Sequence, residues 1–177
     1  MLKIVGAVLG VLVLIVIGIV AFASTRPVPV VVQRSSVIEA PPQKIYPLIV
    51  DFHRWTAWSP YEKMDPAMQR TYSGAPSGLG AGYAWSGKKS GAGSMEITQA
   101  APSSKVVIKL EFTKPIEGHN IAEFTLAPKG AATQVTWAMH GPSPLVAKVM
   151  GLVFDMDTMI GKDFETGLVN LKAAAES

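Results

Sequence analysis

Proton transfer in this 177-residue chain would fall to three histidines, His53, His119 and His140, or to four acids near its C-terminus, Asp155, Asp157, Asp163 and Glu165. The histidines lie far apart and share no metal-ligand spacing, so no zinc site follows from them. The acids ride on an amphipathic pattern whose polar side takes most of them; Asp157 is nearest the apolar stripe and is the one to test. The chain has no cysteine, which removes thiolate nucleophiles, disulfides and thiolate metal sites. It has no G-x-S-x-G, and "GLGAG" (78–82) sits between strand signals without a following helix, which reads as a hairpin turn and not a dinucleotide loop.

Binding has more residues behind it than catalysis. In "HRWTAWSPYEKMDP" (53–66), Trp55 continues the apolar stripe of Ile45, Ile49 and Phe52 and is expected in the core. Trp58 lies past that stripe, beside Pro60, and is expected to wall a cavity. Alternation then gathers Arg70, Tyr72, Tyr83, Trp85, Met95, Asn120, Trp137 and Met139 on the inward faces of strands, and Met156 joins them from a helix. Each of these could simply fill core, but adaptable Met and aromatic side chains with a few polar groups are also what apolar pockets are made of. Arg70 and Asn120 need partners if they point inward. Asn120 is expected to pair with Arg70 or a tyrosine hydroxyl as fixed structure, the alternative being a ligand's polar head group. By the same parity His119 and His140 point outward.

The elements that must position these residues are legible in the pattern. "VVVQRSSVIEA" is β-branched and predicts a first strand. Pro41-Pro42 opens a helix, and Ile45, Leu48, Ile49 and Phe52 form its face. Asp51 is placed to cap a second, short helix that carries Trp55 and that Pro60 stops. From about residue 68 to 141 the period is two, with polar residues intervening, which predicts six antiparallel strands with one face buried. Leu145, Val149, Leu152, Met156, Met159 or Ile160, Phe164, Leu168 and Leu171 then recur at helical steps, with Gly151 and Gly161 placed to bend the helix.

Ahead of the domain, residues 4–23 carry no charge, and a helix of twenty residues spans roughly 30 Å, the apolar thickness of a bilayer. The organisation expected is a tail (1–3), a transmembrane helix (4–23), a proline-stiffened linker (24–29) and one domain (30–177). Ala21-Phe22-Ala23 has the form of a signal-peptide cleavage site, but the apolar run is longer than such segments usually are, which favours a retained anchor. Lys3, Arg26 and Arg34 are too few to set its orientation. Gly6 and Gly10 form a GxxxG pair that allows a weak homodimer through the anchor. With 16 basic against 13 acidic residues there is no basic face, and nucleic acid is not an expected partner.

The order β-α-α-β6-α, with W-x-x-W-S-P after the paired helices, resembles the START-like (SRPBCC) superfamily, and within it the polyketide cyclase/dehydrase and lipid-transport branch. "RSSVIEAPPQKIYPLIVDFHRWTAWSPYEKMDP", "KPIEGHNIAEFTLAPKG", "TWAMHGPSP" and "GKDFETGLVNLK" carry the resemblance, over about residues 30 to 175. It implies an α+β helix-grip fold, a curved seven-stranded antiparallel sheet around a long C-terminal helix with a cavity between them. Fold alone does not give function. The expectation is a membrane-anchored binding protein for a hydrophobic small molecule or lipid, without cofactor or metal. The alternatives are a cyclase- or dehydratase-like enzyme using an inward Tyr, Asn or Arg, and a protein-interaction module with a filled core.

Overall fold

A computed structural model of the chain describes residues 10, 14, 17–22, 30–142 and 156–177. The expected membrane span therefore lies mostly outside the described residues, as do the linker 24–29 and the first part of the long helix. Residues 17–22 are helical, and Leu14, Ile17, Ile19 and Phe22 are exposed. Among the described residues, no helix is long and apolar enough to cross a membrane.

The domain is α+β. Strand β1 (Val30–Ile38) is followed by α1 (Pro42–Val50), a 3₁₀ turn (Phe52–Arg54), α2 (Trp55–Trp58) and α3 (Pro60–Met64). Then come β2 (Gln69–Gly74), β3 (Ala81–Gly87), β4 (Gly91–Ala101), β5 (Lys105–Lys114), β6 (Gly118–Lys129), β7 (Ala132–Gly141) and α4 (Met156–Glu176). All strands pair antiparallel in one sheet ordered β1-β7-β6-β5-β4-β3-β2, so the first strand closes against the last. Register shifts at Ala92/Gly93 and Ile97/Gln99 put irregularities into β4, of the kind that bend a sheet. Helix α4 lies on β1, and α1, α2 and α3 flank it.

Pro60 differs from its expected role. It does stop the helix of Trp55, but it also starts α3 at the N-terminal position that proline suits, so the order holds one helix more than expected. Asp51 caps the 3₁₀ turn, its side chain accepting from His53 N–H at 2.9 Å, and not the helix of Trp55 itself, whose N-cap position is Arg54. The described part of α4 owes its glycines to close approach: a Cβ at Gly161 would strike the Arg34 guanidinium, and one at Gly167 would strike the Trp137 ring.

The register arranges the concave face in rows across the sheet. One row holds Val106, Phe124, Trp137 and Arg34; the next Ile97, Ile108, Ala122, Met139 and Val32. Beyond them lie Tyr72, Tyr83, Met95, Leu110 and Asn120, and last Arg70, Trp85, Gly93, Phe112 and Gly118. Burial falls off in that order. The first row is core: the indole of Trp137 is sandwiched between Phe164 of α4, 4.1 Å away, and Phe124, 4.9 Å away. In the last row Trp85 and Phe112 are only half-buried.

Candidate functional site

Where the helices cover the sheet, the concave face is full. Trp55 donates its indole N–H to the Ile49 carbonyl (2.9 Å) and Trp58 donates to Leu48 (2.8 Å). These carbonyls belong to the last turn of α1, whose acceptors have no partner within the helix, so the two indoles clamp α2 to the end of α1. Trp55 is core as expected. Trp58 is a correction: it has no accessible surface and packs against Trp55, Phe124 and Trp137, and it does not wall a cavity. Tyr83 and Trp137 are likewise buried, at 4% and 3% exposure.

Over the β2–β3 end sits a buried polar network that sequence reasoning missed. Glu62 of α3 accepts from Tyr83 Oη at 2.6 Å and from Arg70 Nε at 2.7 Å. Burial, then the hydrogen bond to this carboxylate, pushes the Tyr83 phenol far above its ordinary range, and the same carboxylate raises Arg70. Arg70 also donates to the Met68 carbonyl at 2.8 Å. Asp65, one turn on, accepts from the backbone N–H of Lys89 and Ser90, which lowers its pKa and pins the β3–β4 turn to α3. The sequence signal was weak. Glu62 lies four residues after Trp58 across a proline, and nothing nearby in sequence says that it is covered.

Tyr72 stacks on His53 at 3.9 Å, and the pair lines a cleft of about 200 Å³ with Phe52, Ser73 and Ala81. That is below the usual size of a ligand pocket, roughly 300–1,000 Å³. The cleft lies between the 3₁₀ turn and the β2–β3 hairpin, away from α4, so it is not the cavity the fold implies.

The open end of the concave face is formed by half-buried Trp85, Met95, Phe112, Asn120 and Met139 with buried Leu110. Trp85 lies over Gly93, where a Cβ would collide with its ring, and ties its N–H to the Ser90 carbonyl at 3.1 Å. Asn120 lies on the inward face as parity predicted, but the expected partner is absent: Arg70 and Tyr83 are committed to Glu62. The Asn120 amide makes no hydrogen bond to any described residue. Its oxygen reaches over Gly141, which has no side chain to block it, and Gly118 leaves its other flank open. The pairing expected for Asn120, with Arg70 or a tyrosine hydroxyl, is therefore not formed among the described residues. The side chain of Met156 lies outside the described residues.

The other residues considered for chemistry separate clearly. Asp157 is exposed and held by Arg34, whose two Nη atoms reach its two carboxylate oxygens at 3.1 Å while Nε reaches Glu165 at 2.8 Å. It belongs to a clamp between β1 and α4 and is not a free acid. The half-buried acid of α4 is Asp163, whose pKa burial raises. His119 is exposed beside Glu111, at 3.4 Å, and His53 is held by Asp51. His140 is half-buried opposite Ile121. Among the described residues no three His, Asp or Glu side chains gather as a metal site.

The fold is shared widely among solved structures. The KanY protein matches 85% of this chain and 100% of its own at 16% identity, with a TM-score of 0.63. A subunit of the Aha1 dimer from Colwellia psychrerythraea matches 83% of this chain and 96% of its own at 17% identity, with a TM-score of 0.60. DynU16, from the dynemicin biosynthetic locus, matches 83% of this chain and 47% of its own at 15% identity, with a TM-score of 0.59. At such identities the likeness is one of fold. No curated protein matches the chain. A family model does, over residues 29–176, taking in every element from β1 to α4, the Trp55–Trp58 clamp and the concave face beneath them; the chain belongs to the polyketide cyclase / dehydrase and lipid transport family.

Proposed function

We propose that the domain binds a hydrophobic small molecule or lipid at the open end of its concave face, and that the N-terminal segment holds it at a membrane. The observation that carries this reading is the Asn120 side-chain amide, which makes no hydrogen bond to any described residue, among Met95, Leu110 and Met139. Asn120 is half-buried, so its side-chain amide is placed to exchange water for a ligand's polar atom on an otherwise apolar surface. Met95 and Met139 beside it are unbranched and flexible and adapt to ligand shape.

The enzyme reading has the Glu62–Tyr83 contact in its favour. Both Glu62 oxygens are occupied, however, one by Tyr83 and one by Arg70, which suits a fixed strut better than a base that must take up a proton. The filled-core interaction module fits the covered half of the sheet and leaves the bay around Asn120 unexplained.

Native mass spectrometry of the detergent-extracted full chain tests the binding reading. A co-purified apolar molecule is expected. Asn120→Leu should weaken its retention by about 1–3 kcal/mol while leaving the melting temperature nearly unchanged. A large fall in melting temperature with no selective loss of ligand would show that Asn120 is structural after all.

Anchoring rests on the uncharged run 4–23 and on the exposed Leu14, Ile17, Ile19 and Phe22. The full chain is expected to stay with membranes through high-salt and carbonate washes, and a chain starting at Val28 to be released. Recovery of a mature form beginning at Ser24 would rule the anchor out.

A further inference from the structure

One end of the sheet carries more positive charge than the near-balance of the whole chain, 16 basic against 13 acidic residues, would suggest. The β3–β4 turn holds Lys88 and Lys89, and β5 runs out at Lys114 into a turn that holds the exposed Ile116. The two turns touch: a Cβ at Gly91 would strike the Lys114 carbonyl and crowd Pro115. The end of α3 joins them, because Asp65 accepts from the backbone N–H of Lys89 at 2.9 Å. That contact brings Lys63 and the exposed Met64 to the same rim. All four lysines are exposed, and none forms an ion pair among the described residues. Against them stand Glu117, exposed in the β5–β6 turn, and Asp65, which is buried and already occupied by the backbone of the β3–β4 turn.

The chain enters the domain at this same end. Val30, the first residue of β1, pairs with Gly141, and Gly141 abuts Asn120. Only residues 24–29 separate Val30 from the uncharged run 4–23, a reach of roughly 20 Å. The other end of the sheet lies further off by the length of β6, whose 12 residues span about 40 Å. The lysine rim is thus the end that the linker holds near a bilayer. It also frames the bay, since Phe112 and Gly118, in the bay's outermost row, flank the β5–β6 turn. Anionic headgroups attract lysine, and exposed apolar tips such as Ile116 and Met64 gain by burial at the headgroup boundary. We propose that Lys63, Lys88, Lys89 and Lys114, with Met64 and Ile116, dock on an anionic bilayer surface and turn the open end of the bay toward the lipid. The assignment rests on the anchoring reading above and adds to it the face that meets the membrane.

The chain has no cysteine, so a single one can be introduced and labelled with bimane. Ile116→Cys marks the rim, and Leu79→Cys marks the opposite end, where Leu79 is 66% exposed. Each labelled full chain is reconstituted into vesicles of phosphatidylcholine alone, or of equimolar phosphatidylcholine and phosphatidylserine, with a headgroup spin label as quencher. Quenching is expected at Ile116 in the anionic vesicles, less of it in neutral vesicles and at high salt, and little at Leu79 in either. Lys114→Gln should lower the docked-to-undocked ratio about fivefold, the scale of one lysine at an anionic surface. Lys129→Gln, at the far end of β6, should leave that ratio unchanged. Equal quenching at the two sites, or quenching at Ile116 that ignores lipid charge and Lys114, in a chain that carbonate does not strip from the vesicles, would overturn the basic rim and leave the anchor standing. A chain that carbonate strips away, with no quenching at Ile116 before the wash, would overturn both.

Discussion

Replacing Trp58 with alanine is expected to lower the stability of the domain by about 3–5 kcal/mol, read from urea denaturation. The residue has no accessible surface, and its ring lies 4.9 Å from that of Trp55, 5.7 Å from Trp137 and 5.9 Å from Phe124. Truncation therefore opens a void between α2 and the sheet, in a neighbourhood of rings too rigid to collapse into it. It also removes the indole N–H from the Leu48 carbonyl at the end of α1. Trp58→Phe keeps most of the volume and loses the hydrogen bond, so its cost should be smaller, about 1–3 kcal/mol. Ligand retention should not change in the Phe variant. A cost below about 1 kcal/mol for the alanine variant, or a selective loss of ligand in Trp58→Phe, would return Trp58 to the cavity wall.

The misplacement of Trp58 shows where one-dimensional reading stops. The strands were legible because period-two alternation is a property of each segment alone, and the register then follows from which face is buried. That is why Tyr83, Trp137 and Asn120 face inward as expected. Trp55 was legible because it continues the stripe of Ile45, Ile49 and Phe52. Trp58 lies one turn beyond, where a proline interrupts the pattern, and only the packing of α2 against Phe124 and Trp137 buries it. The acids went astray for a related reason. Periodicity singles out Asp157 as nearest the apolar stripe of α4, but it cannot show which acid a distant residue engages. Arg34, 123 residues away in β1, claims Asp157, while Asp163 is the half-buried acid, its pKa raised by burial. Glu62 was invisible because its burial depends on Tyr83 and Arg70, whose strands arrive only when the sheet closes beneath α3.

The same network carries the second large effect. Glu62→Ala is expected to cost about 3 kcal/mol or more, because it leaves Arg70 without its carboxylate and Tyr83 without an acceptor. Glu62 is 7% exposed, so it loses most of its water on folding. The Arg70 side chain is 23% exposed and can recover part of its hydration, which puts the loss at the lower end of the range for broken buried pairs. Arg70→Ala should cost less than Glu62→Ala, since Tyr83 Oη continues to hold the carboxylate at 2.6 Å. In a double-mutant cycle the two losses should fall short of adding by about 1 kcal/mol or more, as groups in one network do. Replacing the pair with apolar residues of similar volume, Glu62→Leu with Arg70→Met, should recover most of the stability, because no charge is then left buried and unpaired. This last variant also separates a strut from a catalyst. If Glu62 and Arg70 only brace α3 against β2 and β3, the apolar pair folds and retains ligand as the native chain does. Additive single losses, with the apolar pair no more stable than Glu62→Ala, would show that the network is not the unit of stability. A stably folded apolar pair that loses a measurable turnover would move Glu62 and Tyr83 from structure into chemistry.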